Sequence, residues 1–590
     1  MEFKILLILG LVSFVACRKC QNGSFTELDN QMSVVPLSIQ TCNNANYCFT
    51  RYYNDGQDIR YEFGCDEDLV CQAGGCTVNG MVRTCCCNTG NNCVPNGASD
   101  PVEFSFPADF KFAVATSAYQ IEGGYNAGDK GPSNWDVFSH KPNKVKYNQT
   151  GDVSCDSYNQ YRRDVEMLQE LGVQQYRFSI SWSRIFPDGT NATVNQDGVD
   201  YYNNLINALL AANIEPLVTL FHWDLPQYLQ DLGGFLNPFI ADRFADYADF
   251  IFAQYGDRVK KWITLNEPLS VVTYDYCGTR TVHAPGEFAA HCEYTMYLAA
   301  HNLLRSHMKA VEVYRAKYQG PQNGIIGITL SGAFYYPKDP TNPDDVAAGR
   351  RSFQFAFGWF AHPIFVGDYP QVVKDTIRDH SINYMMRNRS RLPEFTPEEL
   401  NSLKGSADFL GVNYYMAFVS RALTPAEKQV LLISDFQRNT DWGLVNSYKE
   451  PWRLVNASNP WIAYTPDGLR EALKQLHLDY NATMMVTENG CMDSISDIGL
   501  HDNERIKYYR GHLTAVSRAI NEDGARVIGY NAWSLMDNFE WKDGYETKFG
   551  LYHVDFNDPQ RTRTQKDSAK FYAKVVSERK VVGFSPNQAY

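Results

Sequence analysis

The chain lacks two features that would indicate a membrane or a nucleic-acid partner. Its leading apolar stretch, within Met1 to Ala16, is only about a dozen residues long, whereas a transmembrane helix needs about 20. The sequence contains no cluster of Lys and Arg, and its formal net charge is −13. Phosphates attract basic surfaces, so this charge disfavours nucleic acid. We therefore expect no membrane anchor, no nucleic-acid partner and an uncharged ligand.

The two ends of the chain predict export. The C-terminal residues FSPNQAY contain no apolar anchor and no retention tetrapeptide. Residues 1–16, with one Lys before an apolar stretch, are typical of a secretory signal peptide. Cleavage after Ala16 and cleavage after Cys17 both remain open, and the predicted location is secreted and extracellular. N-glycosylation sequons, which agree with this location, occur at Asn22, Asn148, Asn191, Asn388, Asn456 and Asn481.

Cysteine is scarce in most of the chain and concentrated at its beginning. Eleven of the fifteen cysteines lie at or before Cys93. Residues 17–97 are therefore predicted to form a small module that is stabilised by disulfides. A zinc ribbon needs two CxxC pairs, and only Cys17-x-x-Cys20 has this form, so we expect no metal. The module resembles small three-finger extracellular domains in its opening CxxC and closing CCC-x5-C, and its partner is unknown.

Eight short apolar runs follow from residue 110 onward, with longer amphipathic stretches between several of them. Runs that read as near-continuously apolar are typical of buried parallel strands. The runs are residues 110–118, 175–181, 215–221, 261–267, 324–332, 408–415, 483–489 and 526–534. Eight strand–helix units predict an α/β fold, a (β/α)8 TIM barrel spanning residues 98–590. An open doubly wound sheet is disfavoured, because no glycine fingerprint follows the first run.

Polar and aromatic residues end most of these runs. In a barrel the carboxyl ends of the strands meet in one pocket. The strand-end residues are Tyr119, Gln120, Glu122, Arg177, His222, Trp223, Asp224, Asn266, Glu267, Asn413, Tyr415, Glu488, Asn489 and Trp533, with Asn538, Glu540 and Trp541 in a following loop. Hydroxyl-binding side chains together with indole rings suit a sugar. Glu122 fits a buried structural role better than a catalytic one.

Five ordered motifs carry a resemblance to a known family. They are FKFAVATSAYQIEGG, FHWDLP, TLNEP, TENG and SLMDNFEWKDGYETKFG, and together they span about residues 104 to 575. The chain resembles glycoside hydrolase family 1, the β-glucosidases and their relatives. The resemblance implies hydrolysis with retention of anomeric configuration, with Glu267 as acid/base and Glu488 as nucleophile. It implies sugar contacts from Gln120, His222, Asn266, Trp533, Glu540 and Trp541.

The resemblance also places Arg177 and Tyr415 beside Glu488. Positive charge and hydrogen bonding there should favour the carboxylate form, whereas burial and repulsion should keep Glu267 protonated. We therefore expect the pKa values of the two carboxyls to diverge. The mechanism needs only carboxyls and water, so no cofactor is implied. Cys277 and Cys292 bracket a loop after the fourth run, and whether they pair is open.

Three functions remain open on the sequence. The first is a secreted β-glycosidase that acts on a small β-glucoside, β-galactoside or β-fucoside. The second is a thioglucosidase of the myrosinase kind, although plant myrosinases have Gln where this chain has Glu267. The third is a non-catalytic klotho-like binding protein, which the presence of both glutamates disfavours. The sequence does not separate sugar epimers or O- from S-glycosides.

Overall fold

The computed structural model describes residues 102–583, apart from 280, 431–440, 450–451 and 498, and before them only strands between Lys19 and Cys87. The chain divides into two compact units, residues 1–104 with 582–590, and residues 105–581. The predicted signal peptide and the side chains of the predicted cysteine-rich module lie outside the described residues. The disulfides expected in that module are therefore not described.

The strands of the first unit form one antiparallel sheet of seven strands. They span Lys19–Leu28, Gln31–Val34, Ser38–Thr41, Cys48–Asn54, Ile59–Cys65, Gly75–Asn79 and Val82–Cys87. In its register, Cys48 lies opposite Cys65 on one neighbouring strand and opposite Cys87 on the other.

A closed barrel of eight parallel strands forms the core of the second unit. We number its strands β1 (Lys111–Ala115), β2 (Gln175–Ser179), β3 (Glu215–Phe221), β4 (Lys261–Asn266), β5 (Ile325–Ser331), β6 (Phe409–Asn413), β7 (Met484–Asn489) and β8 (Val527–Trp533). Each strand pairs with the next in sequence, and β8 pairs with β1. All eight predicted runs are barrel strands, so the predicted TIM barrel is confirmed. Nearly every strand residue is buried, which explains the continuous apolar runs.

One long helix follows each strand. These helices are α1 (Ser157–Leu171), α2 (Gln196–Ala211), α3 (Ile240–Tyr255), α4 (Cys292–Val313), α5 (Pro343–Phe353), α6 (Pro466–Tyr480), α7 (Asn503–Asn521) and α8 (Asp567–Glu578). In α1 the buried residues include Asp164, Leu168 and Leu171, which are four and three positions apart and so share one face. No helix in the described ranges is long and apolar enough to cross a membrane.

Shorter elements fill the loops between these strands and helices. Short helices span Ala118–Ile121, Asn134–Ser139, Trp182–Ile185, Gln227–Asp231, Pro268–Ser270, Gln319–Gln322, Trp359–Phe365, Gln371–Asp379, Pro397–Leu403 and Pro425–Val430. Short strands outside the barrel span Val102–Ser105, Tyr335–Pro337, Phe418–Ala422, Leu444–Ser447, Tyr552–Val554, Arg563–Gln565 and Lys580–Gly583. Because all eight barrel strands are parallel, their carboxyl ends and the loops that follow surround one pocket.

Candidate active site

The two glutamates lie at the carboxyl ends of β4 and β7, which are separated by two other strands of the barrel. Glu267 directly follows β4, and Glu488 is the penultimate residue of β7. Both are buried, with 6% of Glu267 and 3% of Glu488 exposed. Buried carboxyls are rare unless they are paired or hydrogen-bonded, so the partners of each one define its environment.

Arg177 of β2 connects the surroundings of both glutamates. Its Nη1 donates to Glu488 Oε1 at 2.6 Å, and its Nη2 donates to Asn266 Oδ1 at 2.6 Å. Further bonds to Thr219 Oγ1 and the carbonyl of Thr487 hold the guanidinium plane in place. The charged, planar group thus fixes Glu488 and the residue before Glu267 in one arrangement.

Each glutamate has a second set of partners. Tyr415 Oη donates to Glu488 Oε2 at 2.8 Å. Asn413 Nδ2 donates to Glu267 Oε1 at 2.6 Å, and Ser270 Oγ donates to Glu267 Oε2 at 2.6 Å. The sequence marks Asn413 as a strand-end residue but gives it no role. Ser270 carries no sequence signal, because its position depends on the helical turn that follows Glu267.

The sequence predicts that the pKa values of Glu267 and Glu488 diverge, whereas in the structure both are raised. Burial raises the pKa of Glu488 to about 7, and repulsion from Glu267 adds to this, against the opposing effects of Arg177 and Tyr415. Burial also raises the pKa of Glu267, and hydrogen bonds from Ser270 and Asn413 oppose the shift. Arg177 and Tyr415 favour the carboxylate form of Glu488 as expected, but the expectation that they would keep its pKa below that of an ordinary carboxyl was wrong. Desolvation outweighs the ion pair, because Glu488 lies almost wholly inside the barrel.

Gln120 and Glu540 meet at another side of the pocket. Gln120 Nε2 donates to Asn538 Oδ1 at 3.0 Å, to the carbonyl of Phe539 at 2.9 Å and to Glu540 Oε2 at 3.3 Å. Ser117 Oγ donates to Gln120 Oε1 at 2.7 Å. These bonds join the loop after β1 to the loop after β8. Burial, together with the negative charge of Asp543, raises the pKa of Glu540 well above its ordinary value.

His222, at the end of β3, is linked to Asn266. Asn266 Oδ1 accepts from Arg177, so its Nδ2 is the group that faces His222 Nε2 at 3.1 Å. His222 Nε2 therefore accepts, and the proton lies on Nδ1, for which the described residues provide no hydrogen-bond partner. Burial and Arg177 lower the pKa of His222 well below its ordinary value, so the imidazole is neutral.

Aromatic rings complete the pocket. The His222 ring lies 5.8 Å from that of Trp533 and 6.1 Å from that of Trp541, nearly parallel to both. Trp223 lies 4.6 Å from Trp541, and its Nε1 donates to the carbonyl of Asn266 at 3.1 Å. Trp223 was noted at the strand end, but its link to Asn266 could not be read from the sequence. The structure thus brings all ten predicted site residues to the carboxyl-terminal end of the barrel.

Three residues of this site have left-handed backbone conformations. The φ angles are +51° at Glu267, +75° at Trp223 and +49° at Trp541. Bulky residues rarely adopt positive φ, and such conformations persist where the surrounding structure imposes them, often at functional sites. All three side chains belong to the pocket, so the unfavourable backbone conformations occur at residues of the site.

The structure answers two further points that the sequence raised, the role of Glu122 and the pairing of Cys277 with Cys292. Glu122 is 4% exposed and accepts from Arg184 Nε at 2.8 Å and from Tyr202 Oη at 2.5 Å. This buried ion pair joins the loops after β1 and β2 and agrees with a structural role. Cys277 and Cys292 form a disulfide, which settles the pairing that the sequence left open.

The sequence and the fold place this pocket in a known family. Residues 102–581 match the profile of Glycosyl hydrolase family 1. The chain is 43% identical over 478 residues to Myrosinase 1 of Brevicoryne brassicae, which covers 81% of this chain and 99% of that relative. It is 41% identical over 478 residues to the cytosolic beta-glucosidase of Homo sapiens, covering 80% of this chain and 98% of that relative.

Solved structures agree with the sequence comparison. Aphid myrosinase superposes with a TM-score of 0.74 at 42% identity, covering 80% of this chain and 99% of that structure. A rice beta-glucosidase mutant in a covalent complex with Glc superposes with a TM-score of 0.72 at 38% identity, covering 79% and 98%. The family predicted from the five motifs is therefore confirmed. The chain belongs to glycosyl hydrolase family 1.

Proposed function

We propose that this protein is a retaining β-glycosidase that hydrolyses β-glucosides or related β-glycosides, with Glu488 as nucleophile and Glu267 as acid/base. The observation that carries the assignment is the asymmetry of the two carboxyls. Glu488 accepts from a guanidinium and a phenol, whereas Glu267 accepts only from neutral donors among its described hydrogen-bond partners. Relatives described as beta-glucosidases support the substrate class.

The reaction proceeds in two steps. In the first, a Glu488 carboxylate oxygen attacks the anomeric carbon while Glu267 protonates the oxygen of the departing aglycone. A covalent glycosyl-enzyme forms, and the aglycone leaves as the alcohol. In the second, Glu267, now ionised, takes a proton from water, which displaces Glu488 and releases the sugar with its original configuration.

The hydrogen-bond partners decide where the proton of the resting pair lies. Burial raises the pKa of both carboxyls and the two repel each other, so we expect them to share one proton. A proton on either oxygen of Glu488 would neutralise the carboxylate that accepts from the Arg177 guanidinium at 2.6 Å, and so would weaken this charge-assisted hydrogen bond. The Ser270 hydroxyl near Glu267 rotates and accepts a proton as readily as it donates one. The shared proton therefore belongs on Glu267, as acid catalysis requires.

Sugar recognition follows from the remaining pocket residues. Gln120 and Glu540 provide an amide and a carboxyl for the sugar hydroxyls, and His222 Nδ1 is a further donor. The indoles of Trp533 and Trp541 provide apolar faces for the C–H side of the ring. Asn266 is placed by Arg177 and His222, and a hydrogen bond from it to the 2-hydroxyl would strengthen in the transition state.

The pH dependence of the reaction tests the shared proton. With an unactivated aryl β-glucoside, kcat/KM should fall on the alkaline side of its pH profile, because Glu267, whose pKa is raised by burial, there loses the proton that the leaving group needs. In Glu267→Gln, the repulsion that adds to the effect of burial on the pKa of Glu488 is removed. With a dinitrophenyl β-glucoside, which needs no acid, the acid limb of kcat/KM for this variant should therefore lie below pH 7.

The control for this experiment is Glu546→Gln, since Glu546 is exposed. This variant should leave the acidic and alkaline limbs of the wild-type pH profile of kcat/KM unchanged. An acid limb of Glu267→Gln at or above pH 7 would show that repulsion between the carboxyls does not set the pKa of Glu488.

A thioglucosidase activity is the second candidate. It is favoured by the 43% identity to Myrosinase 1 of Brevicoryne brassicae. A thioglucoside and the matching O-glucoside, compared on the same preparation, separate the two functions by their kcat/KM values. A klotho-like binding role would require loss of a catalytic glutamate, and both are present.

We further propose that the protein is exported, supported by the apolar leader and by the Cys277–Cys292 disulfide, since disulfides persist in oxidising compartments. Among the described sequons, Asn148, Asn191, Asn388 and Asn481 are exposed. Asn456 instead donates from Nδ2 to the carbonyl of Asp493 at 2.9 Å.

Expression in a secreting eukaryotic cell should therefore yield protein in the medium, with glycans at the four exposed sites and little or none at Asn456. Peptide mapping after glycan release measures this occupancy. Retention inside the cell without glycans would contradict the proposed export. Full occupancy at Asn456 would show that its amide is accessible during folding.

A further inference from the structure

The segment between the two paired cysteines lies beside the sugar pocket. Residues 278–291 follow β4 and the short helices after it, and the Cys277–Cys292 disulfide closes them into a loop. Most of the described residues in this loop are exposed or half-buried, whereas Gly278, His283, Ala284 and Gly286 are buried. His283 is therefore the one large side chain that the described part of this loop buries against the barrel.

The His283 imidazole is surrounded by aromatic rings. Its centroid lies 5.4 Å from Trp135, 5.5 Å from Trp223 and 6.3 Å from Trp541, whose plane is within 29° of its own. Trp223 and Trp541 contact each other at 4.6 Å, and Trp135 lies 4.6 Å from Trp541. The imidazole thus packs against the same indoles that line the sugar pocket.

The polar atoms of His283 contribute little to this arrangement. Its Nδ1 lies 3.8 Å from Asp275 Oδ1, which is beyond hydrogen-bond distance, and the described residues provide neither atom with another partner. Burial lowers the pKa of His283 to about 3, so the ring is neutral at physiological pH. Its backbone is fixed, since His283 N donates to the carbonyl of Tyr274 at 3.2 Å. The side chain therefore acts through the packing of its ring.

We propose that His283 is a positioning residue for the sugar: the disulfide holds loop 278–291 against the barrel, and the imidazole fixes the indoles of Trp541 and Trp223. This inference rests on the proposed function, because it takes Trp541 as part of the sugar platform. Trp223 donates to the carbonyl of Asn266 at 3.1 Å, so a shift of this indole would also displace the residue beside Glu267.

Steady-state kinetics of His283→Ala tests the proposal. The indoles lose one side of their support, so KM should rise about tenfold, since small displacements of positioning groups have large effects. The loss in kcat/KM should be the same for dinitrophenyl and phenyl β-glucosides, because His283 acts on the sugar and not on the leaving group. His283→Phe keeps a ring at this position and should restore KM to within about threefold of the wild type.

The controls separate positioning from general destabilisation. His291→Ala removes an exposed imidazole from the same loop and should leave KM unchanged. The double variant Cys277→Ser/Cys292→Ser releases the loop and should raise KM in the same leaving-group-independent way as His283→Ala. Thermal unfolding of each variant shows whether the protein is folded under the conditions in which its KM is measured.

Each possible outcome either supports or overturns the positioning role of His283. An active wild type with KM for His283→Ala within twofold of its own value overturns the proposal, as does a His283→Phe variant as impaired as His283→Ala. If His283→Ala does not fold, the double cysteine variant decides instead, and an unchanged KM for it overturns the proposal. A wild type without activity on any aryl glycoside refutes the proposed function itself, which distinguishes the two failures.

Discussion

Glu488→Ala is expected to lower kcat/KM for an aryl β-glucoside by at least about 10⁴-fold, because removal of a nucleophile removes the covalent route. The residual pocket still binds sugar, so KM should change far less than kcat. The truncation also leaves a space of carboxylate size beside Arg177, whose guanidinium lies 2.6 Å from the missing oxygen. Azide, a small anion, fits the charge of that space.

Azide should therefore partly restore turnover of a substrate with an activated leaving group. It attacks from the side of Glu488, so a single displacement replaces the usual two, and the product is the α-glycosyl azide. Nuclear magnetic resonance of the product identifies its configuration. Undiminished hydrolysis by Glu488→Ala, or a β-configured azide product, would remove Glu488 from the role of nucleophile.

Glu488→Gln is the matched control for this experiment. It keeps the size of the side chain and its contact region with Arg177 and Tyr415, but provides no nucleophile and no space for azide. It should be as inactive as the alanine variant and should not be rescued. Circular dichroism of both variants shows that loss of activity does not reflect unfolding.

The barrel could be predicted from the sequence because its strands are buried on both faces. Runs such as IIGITLS in β5 are nearly continuous in apolar residues, and eight of them in succession admit few architectures. The strand-end glutamates followed from the same count, since parallel strands place their carboxyl ends together. The apolar pattern of each strand and the order of the strands along the chain can both be read directly from the sequence.

The finer features of the site depend on distances between side chains that are far apart in sequence. Asn413 reaches Glu267 across 146 positions, and Arg177 reaches Glu488 across 311. Whether Arg177 or burial dominates the pKa of Glu488 depends on how little water reaches that residue, which no motif encodes. The contact of His283 with Trp541 likewise arises because a disulfide returns the loop to the pocket.

Glu267→Ala is expected to separate substrates by their leaving groups. General acid catalysis contributes about 10²–10⁴-fold when the leaving group is a poor one, so kcat/KM for a phenyl or alkyl β-glucoside should fall by that amount. A dinitrophenolate departs without protonation, so kcat/KM for the dinitrophenyl glucoside should fall by no more than about tenfold. Equal losses on both substrates would argue against the acid role.

The second step gives an independent test of the same residue. Without Glu267 no base activates water, so the glycosyl-enzyme on Glu488 should accumulate and appear as a burst of dinitrophenolate followed by a slow phase. Azide needs no base and should accelerate the slow phase. Because it then displaces Glu488 from an α-linked intermediate, the product is the β-glycosyl azide, the opposite anomer from that of Glu488→Ala. The two azide products together assign the roles, since an exchange of nucleophile and acid/base would exchange the anomers.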